Sequence, residues 1–226
     1  MKRKNEKKMK RNGKRELFIG VLLVAAFAVW TVLIQTVGVR NIGQNGTNIG
    51  FAELNKWFFE KTGVNMVLYT VTDWLGLVPL FVCVMFCGIG LAQLIKRKSI
   101  LKVDYDIIML GFYYITVIIG YFVFEMIPIN YRPILIDGRL EASYPSSTTL
   151  LVLSVMPTLV FCARRRIKCV IAVKIISILT VIFSVFMVVG RLISGVHWFT
   201  DIFGGTLLAL GLFCIYKGAT ELILED

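Results

Sequence analysis

The chain has 226 residues, 57% of them hydrophobic, and a mean hydropathy of +0.77. Its apolar residues run in unbroken blocks, the pattern of bilayer spans, and at this length they leave little room for a soluble domain. The formal charge of +11 is local: Met1–Arg15 carries nine Lys/Arg against one Glu, so +8 sits there and +3 is spread over the rest, which makes nucleic-acid binding a poor reading of the basicity.

Residues 1–15 read as a basic cytoplasmic tail attracted to anionic lipid head groups, and 16–226 as one membrane domain. A helix needs about 20 residues to cross a hydrocarbon core about 30 Å thick. The first block of that length is Leu17–Gly38. Ala26-Phe27-Ala28 imitates a signal-peptide cleavage site, but the apolar run continues through Ile34, longer than the about 7–15 residues of a signal's apolar region, so an uncleaved span is expected.

The segment Val39–Trp74 opens rich in Gly and Asn, contains the formal sequon Asn45-Gly46-Thr47, and ends in FAELNKWFFEKTG. Trp57, Phe58 and Phe59 beside Lys56 and Lys61 suit the head-group layer, so this stretch predicts a short interfacial helix that seals the outer rim. Further spans are expected at Leu75–Ile95, Ile107–Pro128, Ser147–Ala163, Val170–Val189 and Trp198–Tyr216, giving an all-α bundle of six transmembrane helices. Lys174 snorkels to the nearer surface.

Lys96, Arg97, Lys98 and Lys102 follow the second span, and Arg164, Arg165, Arg166 and Lys168 follow the fourth. With the tail, these clusters share one side, which the positive-inside rule makes cytoplasmic, with both termini there. None of Cys83, Cys87, Cys162, Cys169 and Cys214 falls in an outer loop, so no disulfide framework is expected. Cys83 and Cys87 share a helix face without a nearby His or carboxylate, which suits packing better than a metal.

Ionisable groups at membrane depth are expensive and therefore informative. Asp73, Glu125 and Asp201 lie at outer span ends, and three outer segments carry a possible chemistry together. The first is Tyr131-Arg132-Pro133, the second Tyr144-Pro145-Ser146-Ser147-Thr148, and the third runs from Arg191 to His197, the chain's single histidine, and Asp201. Arg132 and Arg191 could clamp a tetrahedral oxyanion. Ser146 and Ser147 follow a Pro at a helix start, where free N–H groups favour an anion, although Ser and Thr are ordinary caps there. The i, i+4 spacing of His197 and Asp201 predicts a carboxylate holding Nδ1–H, with Nε2 left free to attack.

An Arg-Pro, a Pro-Ser at a helix start and Arg-x5-His-x3-Asp resemble the three-part signature of the type 2 phosphatidic acid phosphatase family, relatives of the vanadium haloperoxidases. The resemblance covers Glu125–Asp201, and the six-span topology extends it over nearly the whole chain. It implies a phosphohistidine on His197 oriented by Asp201, phosphate held by Arg132, Arg191 and the segment Ser146, Ser147 and Thr148, no metal or other cofactor, and a membrane lipid phosphate as substrate.

Three positions depart from the family pattern: Glu125 stands where it has a lysine, Ser147-Thr148 where it has Gly-His, and Gly190 where it has a serine. The missing histidine would protonate the leaving group, a contribution of about 10²–10⁴-fold that an alkoxide needs. A phosphate monoester leaving from a diphosphate has a second pKa near about 6 and departs as an anion unaided. A phosphatase on this chain is therefore expected to favour lipid diphosphates, with Glu141 or Tyr144 as other candidate acids. The alternative is a lipid-phosphate binding or transport protein with little turnover on the same scaffold.

Overall fold

The computed structural model describes residues 2–223, with side chains from residue 10 onward. Most basic side chains of the expected tail therefore lie outside the described residues, as do residues 224–226. The helices are α1 (Lys2–Thr36), α2 (Ala52–Thr62), α3 (Met66–Leu75), α4 (Leu77–Arg97), α5 (Tyr105–Met126), α6 (Ser147–Arg166), α7 (Val170–Ile193) and α8 (Phe199–Ile223). Helices dominate because a backbone in hydrocarbon has no water to bond, and the α-helix satisfies every peptide group within one segment. Among the described residues, β pairing is limited to isolated bridges in the loops.

Six candidate spans are present, as expected, but the second begins earlier than the expected Leu75. It runs Met66–Arg97, with α3 leading into α4 at Gly76. Asn65 caps α3 by accepting from the Leu68 N–H at 2.9 Å, so the helix starts a full two turns upstream of the continuous apolar run. The expected interfacial helix is α2. Its Asn55 is buried and donates to the Gly50 carbonyl and the Thr200 hydroxyl, Phe58 and Phe59 pack against Phe199 and Trp198, and Trp57 stays exposed.

α6 and α8 form the centre: 56% and 50% of their apolar windows are buried, against 17–28% for the other spans. Tyr113 donates to the Ser154 carbonyl at 3.0 Å and Tyr114 bonds Thr158 at 2.7 Å, so α5 meets α6 through aromatic bodies whose polar tips are satisfied. At the basic end Arg166 binds Asp106 and Asp104, Arg97 binds Asp104 at 2.8 Å, and Lys217 binds Glu16 at 2.8 Å. The outer segments singled out in the sequence all gather at the opposite end.

α1 lies along α8 through facing glycines. A Cβ on Gly20 would stand 2.7 Å from the Ile215 nitrogen and 2.8 Å from the Gly211 carbonyl, and one on Gly218 would stand 2.7 Å from the Gly13 carbonyl. Lipid provides no hydrophobic drive between helices, so such close backbone approach supplies the dispersion contact. Gly20→Leu is expected to force α1 off α8, destabilising the fold by about 1–3 kcal/mol. A thermal melt in detergent checks this: the midpoint falls for Gly20→Leu and stays near wild type for Gly88→Leu, where a Cβ meets nothing within 4 Å.

Candidate active site

The loop between α5 and α6 folds back on itself as a short antiparallel pair. The Arg132 N–H donates to the Glu141 carbonyl at 3.0 Å and the Ser143 N–H to the Asn130 carbonyl at 2.9 Å, which sets Arg132, Glu141 and Ser143 side by side. The start of α8 anchors this loop. Trp198 Nε1 donates to the Tyr131 carbonyl at 2.8 Å, Asn130 Nδ2 to Asp201 Oδ1 at 3.1 Å, and the Ser146 N–H to the Asp201 carbonyl at 3.1 Å.

His197 lies in the turn between α7 and α8, and the turn depends on Gly195. There φ is +68°, and a Cβ would stand 2.0 Å from the Gly63 carbonyl. Nδ1 lies 3.1 Å from the Ser143 carbonyl and 3.9 Å from Asp201 Oδ2. The expected Nδ1–Asp201 hydrogen bond is thus replaced by one to a main-chain oxygen. His197 precedes the first turn of α8, so helical i, i+4 geometry does not apply to it. Asp201 instead reaches back to the Trp198 N–H at 3.0 Å, as an acidic third residue does in a capping box.

Because a carbonyl only accepts, Nδ1 carries the proton and Nε2 the lone pair. Nε2 is buried and has no hydrogen-bond partner among the described residues, and the same holds for Arg132 Nη1 and Ser143 Oγ. All three side chains line one cavity of about 300 Å³, together with Glu125, Glu141 and Ser147. Burial pulls the His197 pKa down to about 4; Asp201 opposes this, and the Arg132 charge reinforces it. The imidazole is therefore neutral at pH 7, the form a nucleophile requires.

The two arginines meet at one aromatic ring and do different things. Both guanidinium groups approach Tyr69, Arg191 at 4.8 Å and Arg132 at 5.9 Å from the ring centroid. Arg132 pairs with Glu141 Oε2 at 3.0 Å and faces the cavity. Arg191, 2% exposed, donates from Nε to Thr148 Oγ1 at 2.9 Å and from Nη2 to Asp73 Oδ1 at 3.1 Å, and is not among the residues lining the cavity. The expected two-pronged clamp is thus one prong in the cavity and one behind it.

Of the serine segment, Ser147 reaches the cavity. Ser146 is fully buried and caps α6, its Oγ 3.5 Å from the Thr149 N–H, while Thr148 is committed to Arg191. Sequence reasoning noticed Asp73 without its partner, and it missed Asn130 and the Ser143 carbonyl. Asn130 carries no signal before the fold is known, and a main-chain oxygen leaves none at all.

The family model of the PAP2 superfamily matches residues 102–221, just over half of the chain and every segment of the site except Asp73 and Tyr69. The chain belongs to the PAP2 superfamily. Its fold is similar to the crystal structure of a transmembrane PAP2-type phosphatidylglycerolphosphate phosphatase from Bacillus subtilis, with a TM-score of 0.66 at 20% identity over 91% of this chain and 98% of that one. The search of curated proteins gave no match. At this identity the likeness carries the multi-pass PAP2 architecture and nothing finer.

The single histidine makes the electrostatics directly measurable. In protein labelled with ¹³C-histidine, the one imidazole resonance is expected to stay in its neutral position from pH 8 down to about pH 5 and to titrate near pH 4. Because the folded pKa is depressed, the stability contributed by the neutral ring is complete above about pH 6.5 and is lost as pH falls towards 4.

Proposed function

We propose that the protein is an integral-membrane lipid phosphate phosphatase that forms a phosphohistidine on His197 and favours lipid diphosphates. The observation that supports this most is that His197 and Arg132 line one cavity, each with a buried nitrogen, Nε2 and Nη1, that has no hydrogen-bond partner among the described residues. An unsatisfied buried donor and an unsatisfied basic nitrogen are each costly alone. A phosphoryl group between them satisfies both, accepting from Arg132 while its phosphorus faces the nitrogen lone pair.

In the first step the Nε2 lone pair attacks phosphorus, the P–Nε2 bond forms, and the bond to the leaving oxygen breaks with its electron pair departing on that oxygen. Nδ1 keeps its proton on the Ser143 carbonyl, and the Asp201 carboxylate at 3.9 Å stabilises the positive ring by its field. In the second step water attacks phosphorus, the P–N bond breaks, and inorganic phosphate leaves while the ring returns to neutral. Positive charge comes from Arg132, backed by Arg191, and the chemistry needs no metal.

The surroundings supply little acid for the leaving group. Thr148 occupies the family's histidine position and is bonded to Arg191. The Tyr144 hydroxyl lies 2.7 Å from Thr31 Oγ1, and burial pushes its pKa up. Glu141 stands on the cavity wall engaged with Arg132. These features support a substrate whose leaving group departs without a proton, a diphosphate. The basic clusters at the far end of the bundle support an active site on the extracytoplasmic face of the cell membrane with both termini inside.

Purified protein given a prenyl diphosphate or phosphatidic acid is expected to release phosphate faster from the diphosphate, by about 10²-fold or more, and EDTA is expected to leave the rate unchanged. His197→Ala is expected to lower release by about 10³-fold or more. Equal rates on the two substrates would remove the leaving-group argument, and undiminished release by His197→Ala would remove the phosphohistidine. Retained lipid binding with no release from any substrate would instead assign a binding or transport role.

A further inference from the structure

On the flank of the bundle away from the cavity of His197, a groove of about 560 Å³ runs between α6, α7 and α8. Its walls are apolar, with Pro157 and Phe161 of α6, Val181 and Val185 of α7, and Leu210 and Phe213 of α8. It extends from Leu153 to Arg164 on α6 and from Thr206 to Lys217 on α8, eleven residue steps on each helix, or about 16 Å at 1.5 Å per residue. That is half of a hydrocarbon core about 30 Å thick, the depth of one leaflet.

Two cations, Arg164 and Lys217, line the groove at the basic end. Neighbouring basic residues of α6 are engaged elsewhere, Arg166 with Asp106 and Asp104, and Arg165 near Asp106 and the Phe161 ring. Arg164 is exposed and has no carboxylate within ion-pair distance among the described residues. Lys217 donates to Glu16 at 2.8 Å, and an ammonium has three donors, so further donors remain for a second acceptor. Inside the groove Ser184 is buried, and its hydroxyl has no hydrogen-bond partner among the described residues.

We infer that this groove is a binding site for an anionic phospholipid of the leaflet opposite the active site, with the phosphate between Arg164 and Lys217 and one acyl chain between α6, α7 and α8. The charge at the mouth selects an anion, and the apolar walls of one-leaflet length select a lipid over a soluble phosphate. Nothing in this inference depends on the chemistry at His197.

Native mass spectrometry of the full chain released from bilayers containing equal phosphatidylglycerol and phosphatidylcholine tests it. Wild-type protein is expected to retain one phosphatidylglycerol in preference. Arg164→Ala with Lys217→Ala is expected to weaken that retention about thirtyfold, about fivefold per cation, while Lys168→Ala at the same end leaves it unchanged. Val185→Trp, which fills the groove and spares both cations, is expected to remove the lipid; Ser184→Leu is the smaller filling variant should the Trp protein fail to fold. Equal retention of phosphatidylcholine, retention that survives both kinds of variant, or a dimer formed through this face in place of bound lipid would each overturn the site.

Discussion

Asp201 is fully buried, and a carboxylate taken out of water is tolerated only when donors surround it. Here the Trp198 N–H and the Asn130 amide supply those donors, and the N-terminus of α8 adds the favourable end of its dipole. The main chain of the same residue accepts from the Ser146 N–H at the start of α6. One residue thus fastens the α7–α8 turn, the loop after α5 and the first turn of α6. Remove that knot and Arg132 in its loop, His197 in its turn and Ser147 at the start of α6 lose their common reference.

This arrangement changes what the third part of the signature does. The spacing from His197 to Asp201 suggests a carboxylate that orients an imidazole directly, yet Asp201 stands 3.9 Å from Nδ1 and Ser143 holds the ring through a carbonyl at 3.1 Å. Asp201 positions Asn130, Asn130 pairs by its carbonyl with the Ser143 N–H, and Ser143 holds the histidine. The carboxylate therefore orients the ring through two intermediaries and acts on it directly only through its field.

The spans were legible because bilayer thickness imposes a length, and the common side of the basic clusters placed the three outer segments at one end before any coordinates. That His197, Arg132 and Ser147 come together on one cavity wall was legible, each being a residue type with a distinctive chemistry near a span end. The rest was hidden for identifiable reasons. Asp73 lies 118 residues from Arg191 in sequence, and α3, which carries it, reads as loop because Thr70, Thr72 and Asp73 interrupt the apolar pattern. Ser146 has the composition of an anion donor and of a cap alike, and its burial against α8 decides for the cap.

Two guanidinium groups packed on the Tyr69 ring repel one another, and the inner one is 2% exposed. A buried cation without counter-charge is strongly destabilising, so a site built only to await phosphate would not fold well empty. Each arginine accordingly has a resident carboxylate, Asp73 for Arg191 and Glu141 for Arg132. The two pairs are not equivalent. Arg191 is further tied by Thr148 and does not line the cavity. Arg132 lines that wall and its Nη1 has no hydrogen-bond partner among the described residues, and its partner Glu141, 39% exposed by side chain, sits on the same wall within reach of solvent. An anion entering the cavity therefore meets one guanidinium whose carboxylate partner stands on the same wall within reach of solvent, and a second, Arg191, held off that wall by Asp73 and Thr148.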